Sequence, residues 1–108
     1  MECIRIVSKK ETKSGWEFIV EVGTENHEIG YRVTVEKESW QKLAYNRFGP
    51  EELVYRTFQF LLKRQPKGAL FRSFSLREAA QQFPAYEEKM KKRQWGDLLH
   101  LLYPLLKK

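Results

Sequence analysis

The chain has 108 residues, of which 42% are hydrophobic and 31% charged, and 20 Lys and Arg against 14 Asp and Glu give a net charge of +6. This length fits a single domain, and the three Trp, five Tyr and seven Phe exclude an intrinsically disordered chain. No apolar run exceeds three residues, which excludes a membrane-spanning helix, and charged residues throughout the first fifteen positions argue against a signal peptide.

Cys3 is the single cysteine, so an intrachain disulfide is excluded, and a lone thiol without a signal peptide favours the reducing cytoplasm. Cys3 with His27 or His100 is a poor nucleophile–base pair, because no third group is evident to orient the base. Zinc sites need closely spaced Cys and His ligands, which this sequence lacks. We therefore predict a protein without a metal or a cofactor that is not an enzyme.

Hydrophobic residues alternate with polar ones in the first third of the chain, most clearly from Trp16 to Val22 and from Tyr31 to Val35. Such alternation is typical of half-buried strands. The predicted strands span 3–8, 15–22 and 29–36. Because the polar linkers between them are short, we expect a three-stranded antiparallel meander.

The aromatic residues Trp16, Phe18 and Tyr31 have two interpretations. On an open sheet they would form a platform on which nucleic-acid bases stack. Their alternation with charged residues favours a buried face instead.

After residue 37 the hydrophobic residues no longer alternate but recur every three or four positions. This spacing predicts four or five short helices packed on one face of the sheet. The first spans about 38–46, and the clearest spans 50–64, with Pro50 at its first position and a polar arc of Glu52, Arg56, Gln59 and Lys63. The rest of the helix 50–64 is so apolar that we expect it to be central to the fold.

A connecting stretch is predicted over 69–74, before a capping box in which Ser75 caps a helix and Glu78 reaches back. That helix must end by Phe83, because Pro84 follows. Another helix is expected over about 85–93, and Asp97 would start a last apolar turn.

The positive charge is concentrated in the helical half of the chain. Residues 1–50 contain eight basic and eight acidic residues, whereas residues 51–108 contain twelve basic and six acidic ones. The densest basic block supplies the candidate residues for an anion or nucleic acid: Lys89, Lys91, Lys92 and Arg93. The alternative is a solvated helix face that keeps a small protein soluble.

The C-terminal tail is rich in leucine, with six in the nine residues 98–106. A segment so apolar either packs back onto its own domain or contacts another chain, and a membrane-surface helix is a weaker third option. The candidate partner-binding residues are Leu98, Leu101, Leu102 and Leu105.

Residues 58–66 follow the pattern Phe-x-Phe-Leu-Leu-x-Arg-x-Pro, and residues 83–87 read Phe-Pro-Ala-Tyr-Glu. Over roughly residues 16–90, the chain resembles a family of small, uncharacterised prokaryotic proteins. It departs from that family's pattern after about residue 93. The resemblance implies a stand-alone domain and brings no activity, cofactor or catalytic residue.

Together these patterns predict one α+β domain over 1–108, with the meander in 1–36, the helical part in 37–93 and the leucine-rich tail in 94–108. We expect a non-catalytic protein-interaction or adaptor module in the cytoplasm, which binds a second copy of itself or another protein. The alternative is a nucleic-acid-binding protein that uses the basic helical half.

Overall fold

The computed structural model describes residues 3–24, 26–44, 47–65, 68 and 70–91. Within these residues the chain forms an α+β fold of four strands and four helices, which confirms the general α+β class of the prediction. In chain order the elements are β1 (Cys3–Glu11), β2 (Gly15–Thr24), β3 (His27–Glu36), α1 (Lys37–Ala44), α2 (Pro50–Arg64), β4 (Ser73–Ser75), α3 (Leu76–Gln82) and α4 (Ala85–Lys91).

The sheet is mixed and has the strand order β1-β2-β3-β4. The three predicted strands pair antiparallel, but β4 adds a fourth strand parallel to β3, with Val33 opposite Phe74. The prediction of a purely antiparallel three-stranded sheet is therefore wrong. Strand β4 was not predicted because a strand of three residues is too short to show alternation. Its partner β3 is also distant in the chain, since parallel strands are joined by a long crossover connection.

The covered face of the sheet contains the alternating residues of β2 and β3. Phe18, Val20 and Val22 of β2 are fully buried, as are Val33 and Val35 of β3. They form one core with side chains from all four helices, among them Leu43, Leu53, Phe58, Leu76 and Tyr86. Phe18 and Tyr31 thus belong to the core, and Trp16 packs edge-to-face on Trp40, 5.5 Å between ring centres. The buried-face interpretation is confirmed for Phe18 and Tyr31, whereas Trp16 is half-buried at the margin of the core.

The edge strand β1 is longer than predicted, because its polar second half continues the pairing with β2 as far as Glu11. A bulge between Ile6 and Ser8 leaves Val7 without a partner in the register. After the bulge, the Lys9 ammonium lies 5.8 Å from the centre of the Trp16 ring and forms a 3.1 Å ion pair with Glu51 of α2.

Gly15 begins β2 at a point where no side chain fits. A Cβ atom there would lie 2.0 Å from the carbonyl oxygen of Val35, which belongs to the backbone of β3. Next to it, the amide of Lys37 donates to the carbonyl of Ser14 at 2.7 Å. This close approach joins the start of β2 to the end of β3, where the chain enters α1.

The helices follow their predicted boundaries closely. Helix α2 spans the predicted 50–64, and α3 ends at Gln82, before Phe83 and Pro84. Ser75 caps α3: its hydroxyl accepts from the amide of Glu78 at 3.1 Å, and the Glu78 carboxylate lies 3.4 Å from the same oxygen. The predicted apolar turn after Asp97 lies outside the described residues.

Candidate functional site

A basic groove lies between α2 and α4. It encloses about 310 Å³, and within the described part of the chain its lining contains four cations and no carboxylate. The lining residues are Arg56, Gln59, Phe60, Lys63, Arg64, Lys89 and Met90. We call this feature the α2–α4 groove.

The helical period of α2 places cations along one wall of the groove. Arg56 and Lys63 are seven residues apart, which is two turns or about 10 Å along the axis, and Gln59 lies between them. These residues belong to the predicted polar arc, and Gln59 and Lys63 are exposed. The wall therefore offers a row of polar and positive groups to a ligand that follows the helix.

Arg64 is held in position over an aromatic ring. Its guanidinium carbon lies 3.6 Å from the centre of the Phe60 ring, and Nη1 donates to the Phe60 carbonyl at 3.2 Å. Phe60 in turn packs edge-to-face on Tyr86 and Phe83. A guanidinium fixed by stacking loses less conformational freedom when it binds an anion.

Arg56 lies at the other end of the groove, where it also contacts an acid. Its Nε atom is 4.0 Å from Glu52, and its guanidinium lies 4.2 Å from the centre of the Phe48 ring. In contrast, no ion pair joins Lys63 or Lys89 to an acid of the described residues. Within the described part of the chain, the middle of the groove therefore carries positive charge that no ion pair neutralises.

The second wall, α4, is attached to the domain by Arg47. The Arg47 guanidinium donates to the carbonyls of Met90 and Lys91 at the end of α4 and to those of Leu43 and Ala44 at the end of α1. Carbonyls at the end of a helix lack partners within it, and a cation complements the negative end of the helix dipole. Arg47 thus joins the end of α4, which carries Lys89 and Met90, to the end of α1.

A buried hydrogen bond holds α4 from the inside. The Tyr86 hydroxyl of α4 lies 2.7 Å from the Thr57 hydroxyl of α2, and burial raises the pKa of Tyr86 far above its ordinary value. Tyr86 therefore stays neutral at physiological pH and acts as a fixed support beneath the groove rather than as a group that exchanges protons.

The structure brings only part of the predicted basic cluster to this site. Lys89 lines the groove, Lys91 is half-buried at the end of α4, and Lys92 and Arg93 lie outside the described residues. Arg56, Lys63 and Arg64 line the groove but are not among the predicted site residues. The signal was present in the polar arc of α2, but the pairing of that arc with α4 depends on tertiary structure.

The predicted partner-binding residues Leu98, Leu101, Leu102 and Leu105 also lie outside the described residues, as does His100. Cys3 is exposed on β1. Among the described residues, no three His, Cys, Asp or Glu side chains come together as metal ligands. The described helices include none that is both long and apolar enough to span a membrane.

A smaller apolar cavity of about 60 Å³ lies between α2, α3 and the segment before β4. Leu61, Leu70, Phe74 and Phe83 are among its lining residues, and Phe71 beside them is 68% exposed. Among the residues that the structure describes, its lining contains no cation, which separates it chemically from the α2–α4 groove.

In comparisons with protein-family models, curated proteins and solved structures, the chain has no significant match. The resemblance to a family of small prokaryotic proteins therefore stays a prediction.

Proposed function

We propose that this protein binds nucleic acid through the α2–α4 groove and performs no catalysis there. The observation that carries the proposal is the set of four cations on two helices, Arg56, Lys63, Arg64 and Lys89, with no carboxylate in the described lining. A nucleic acid presents regularly spaced negative charges, and cations that neutralise phosphates release condensed counterions into solution. The expected setting is the cytoplasm, as the lone cysteine suggests.

The structure favours nucleic acid over the protein-interaction module for a specific reason. Four of the described cations of the helical half line one groove instead of standing apart on exposed helix faces. Arg64 is fixed on Phe60, and Lys63 and Lys89 face the same groove from two elements. A merely solubilising face requires no such convergence of cations.

The test is the salt dependence of binding to a fluorescently labelled oligonucleotide, followed by anisotropy. Lys63→Gln and Lys89→Gln should each weaken binding and reduce the slope of log K against log salt by about 0.7 for a single strand. The matched control is Lys10→Gln, which removes the same charge from the exposed edge strand, at a residue that does not line the groove. It should leave the slope unchanged.

Absence of binding at low salt would overturn the proposal. So would a result in which Lys63→Gln and Lys89→Gln behave like Lys10→Gln, because the charge would then act without regard to its position.

A second candidate function is a self-associating interaction module, favoured by the six leucines of residues 98–106. If Leu98, Leu101, Leu102 and Leu105 contact a second copy, deletion of residues 97–108 should lower the mass in solution and leave the urea midpoint nearly unchanged. If they pack on their own domain instead, the oligomeric state should stay the same and the urea midpoint should fall sharply. The unfolding free energy should then drop by about 25 cal/mol for each Å² of apolar surface uncovered.

A further inference from the structure

Arg64 lies flat on the Phe60 ring at the wall of the α2–α4 groove. Its guanidinium carbon is 3.6 Å from the ring centre, which is the usual contact distance of two stacked planar groups. A guanidinium standing on edge would hold its central carbon farther away, because a nitrogen would lie between that carbon and the ring. The hydrogen bond from Nη1 to the Phe60 carbonyl supports this position. The two side chains therefore form one stacked pair.

The second face of the guanidinium is accessible from the groove. Phe60 is only 3% exposed, and Tyr86 and Phe83 pack against it edge-to-face. Arg64, in contrast, is exposed and lines the groove, so it covers the ring from the solvent side. Within the described residues, no ion pair joins Arg64 to an acid. One face of the guanidinium thus contacts Phe60, and the other is left for a ligand.

A guanidinium plane is a surface on which a nucleobase can stack. Unpaired bases of single-stranded nucleic acids stack on aromatic rings and on Arg guanidinium planes. Among the described residues that line the groove, Phe60 is the aromatic one, and Arg64 covers its face. A base in the groove would therefore meet the Arg64 guanidinium, with the Phe60 ring as a fixed support behind it.

We propose that the α2–α4 groove binds a single-stranded nucleic acid, one base of which stacks on the outer face of the Arg64 guanidinium. This inference rests on the proposed function and names its ligand class. Lys63 of α2 and Lys89 of α4 line the same groove and would contact the phosphates on either side of that base. Inside a duplex every base is already stacked and paired, so a duplex has no internal base to offer to Arg64.

The experiment uses Arg64→Lys, which keeps the positive charge and removes the planar group. Binding of the whole chain to a labelled single-stranded oligothymidylate is followed by anisotropy. The substitution should raise the Kd about fivefold to tenfold, within the range for loss of one base stack. The slope of log K against log salt should stay that of the wild type, because the charge is kept. The wild type should bind a duplex of the same length more weakly than the single strand.

A second probe separates stacking from phosphate contact. An abasic strand of the same length keeps the sugars and phosphates and lacks the bases. The wild type should bind it more weakly than the oligothymidylate, and Arg64→Lys should bind it as the wild type does. An equal loss of affinity for both strands in Arg64→Lys would show that the guanidinium contacts a phosphate, and the stacking role would be wrong.

The matched control is Arg77→Lys, the same replacement at an exposed residue of α3 that does not line the groove. It should leave the Kd for the oligothymidylate unchanged. Because Arg64 is exposed, the urea midpoint of Arg64→Lys should stay near that of the wild type, which verifies that the variant is folded.

The failure of this inference is distinguishable from the failure of the proposed function. If Lys63→Gln weakens binding but Arg64→Lys leaves the Kd for the oligothymidylate unchanged, the stacking role is wrong and the basic groove stands. Duplex binding as tight as single-strand binding would likewise overturn the single-strand assignment. If neither the single strand nor the duplex binds at low salt, the proposed function itself is overturned.

Discussion

The hydroxyl groups of Thr57 and Tyr86 lie 2.7 Å apart in the core and join α2 to α4. Both residues are fully buried, and Thr57 Oγ1 also donates to the Leu53 carbonyl at 2.8 Å. Because Thr57 has a single proton to donate, Tyr86 must be the donor in the bond between the two hydroxyls. Among the described residues, no buried side-chain polar atom is left without a hydrogen-bond partner.

This donor assignment predicts unequal effects of two substitutions. Thr57→Val leaves the Tyr86 hydroxyl as a buried donor without an acceptor, which should cost about 1–3 kcal/mol of unfolding free energy. Tyr86→Phe leaves Thr57 with its bond to Leu53 and should cost about 1 kcal/mol. Urea unfolding of the single variants and of the double variant measures both costs and their coupling. Because the double variant leaves no unpaired hydroxyl, its cost should be less than the sum, and additive costs would contradict the assignment.

Phe58 and Gln59 are adjacent in α2 but face opposite environments. Phe58 is fully buried between Tyr31 and Phe74, with ring centres 5.4 and 5.8 Å away, whereas Gln59 is exposed at the groove. Phe58→Ala should cost about 3–5 kcal/mol of unfolding free energy. Gln59→Ala should change it by no more than about 0.5 kcal/mol. If chemical denaturation showed an equal loss of unfolding free energy in both variants, the face of α2 assigned to the core would be wrong.

Ser75 ends β4 and caps α3, where its hydroxyl accepts from the Glu78 amide. Ser75→Ala should lower the unfolding free energy by about 1 kcal/mol, because that amide loses its acceptor. Ser73→Ala, at an exposed position two residues earlier in the same strand, is the matched control and should have a much smaller effect. Ser75→Asp keeps an acceptor and should stay close to the wild type, and an equal loss in all three variants would argue against a capping role.

Glu87 of α4 forms a 2.8 Å ion pair with Lys42 of α1. The hydrogen bond from Lys42 lowers the pKa of Glu87 below its ordinary value. The pair therefore stabilises the folded state above the ordinary carboxylate pKa, and this contribution disappears as the pH falls through the lowered value. We expect the urea midpoint of Glu87→Gln to fall less steeply below about pH 5 than that of the wild type. Glu88→Gln, the adjacent exposed acid, should follow the wild-type profile.

Local patterns were sufficient to predict much of the fold. The alternation in β2 and β3 identified the buried face, since side chains of a strand point to opposite sides in turn. The bounds of α2 followed from Pro50 and from the apolar period, and the Ser75 cap followed from a serine three residues before a glutamate. In each case, the residues that determine the structure are close neighbours in the chain.

The tertiary structure alone decided the fourth strand and the candidate site. Strand β4 exists because a crossover through α1 and α2 returns three residues, Ser73–Ser75, to the edge of β3. Lys89 was recognised as part of a basic block, but its partner Lys63 lies 26 residues earlier in another helix. Amphipathic periods show which face of each helix is polar and not which two faces meet. Their meeting depends on the packing of α4 against α2 through Tyr86, on the attachment of α4 to α1 through Arg47, and on the core beneath.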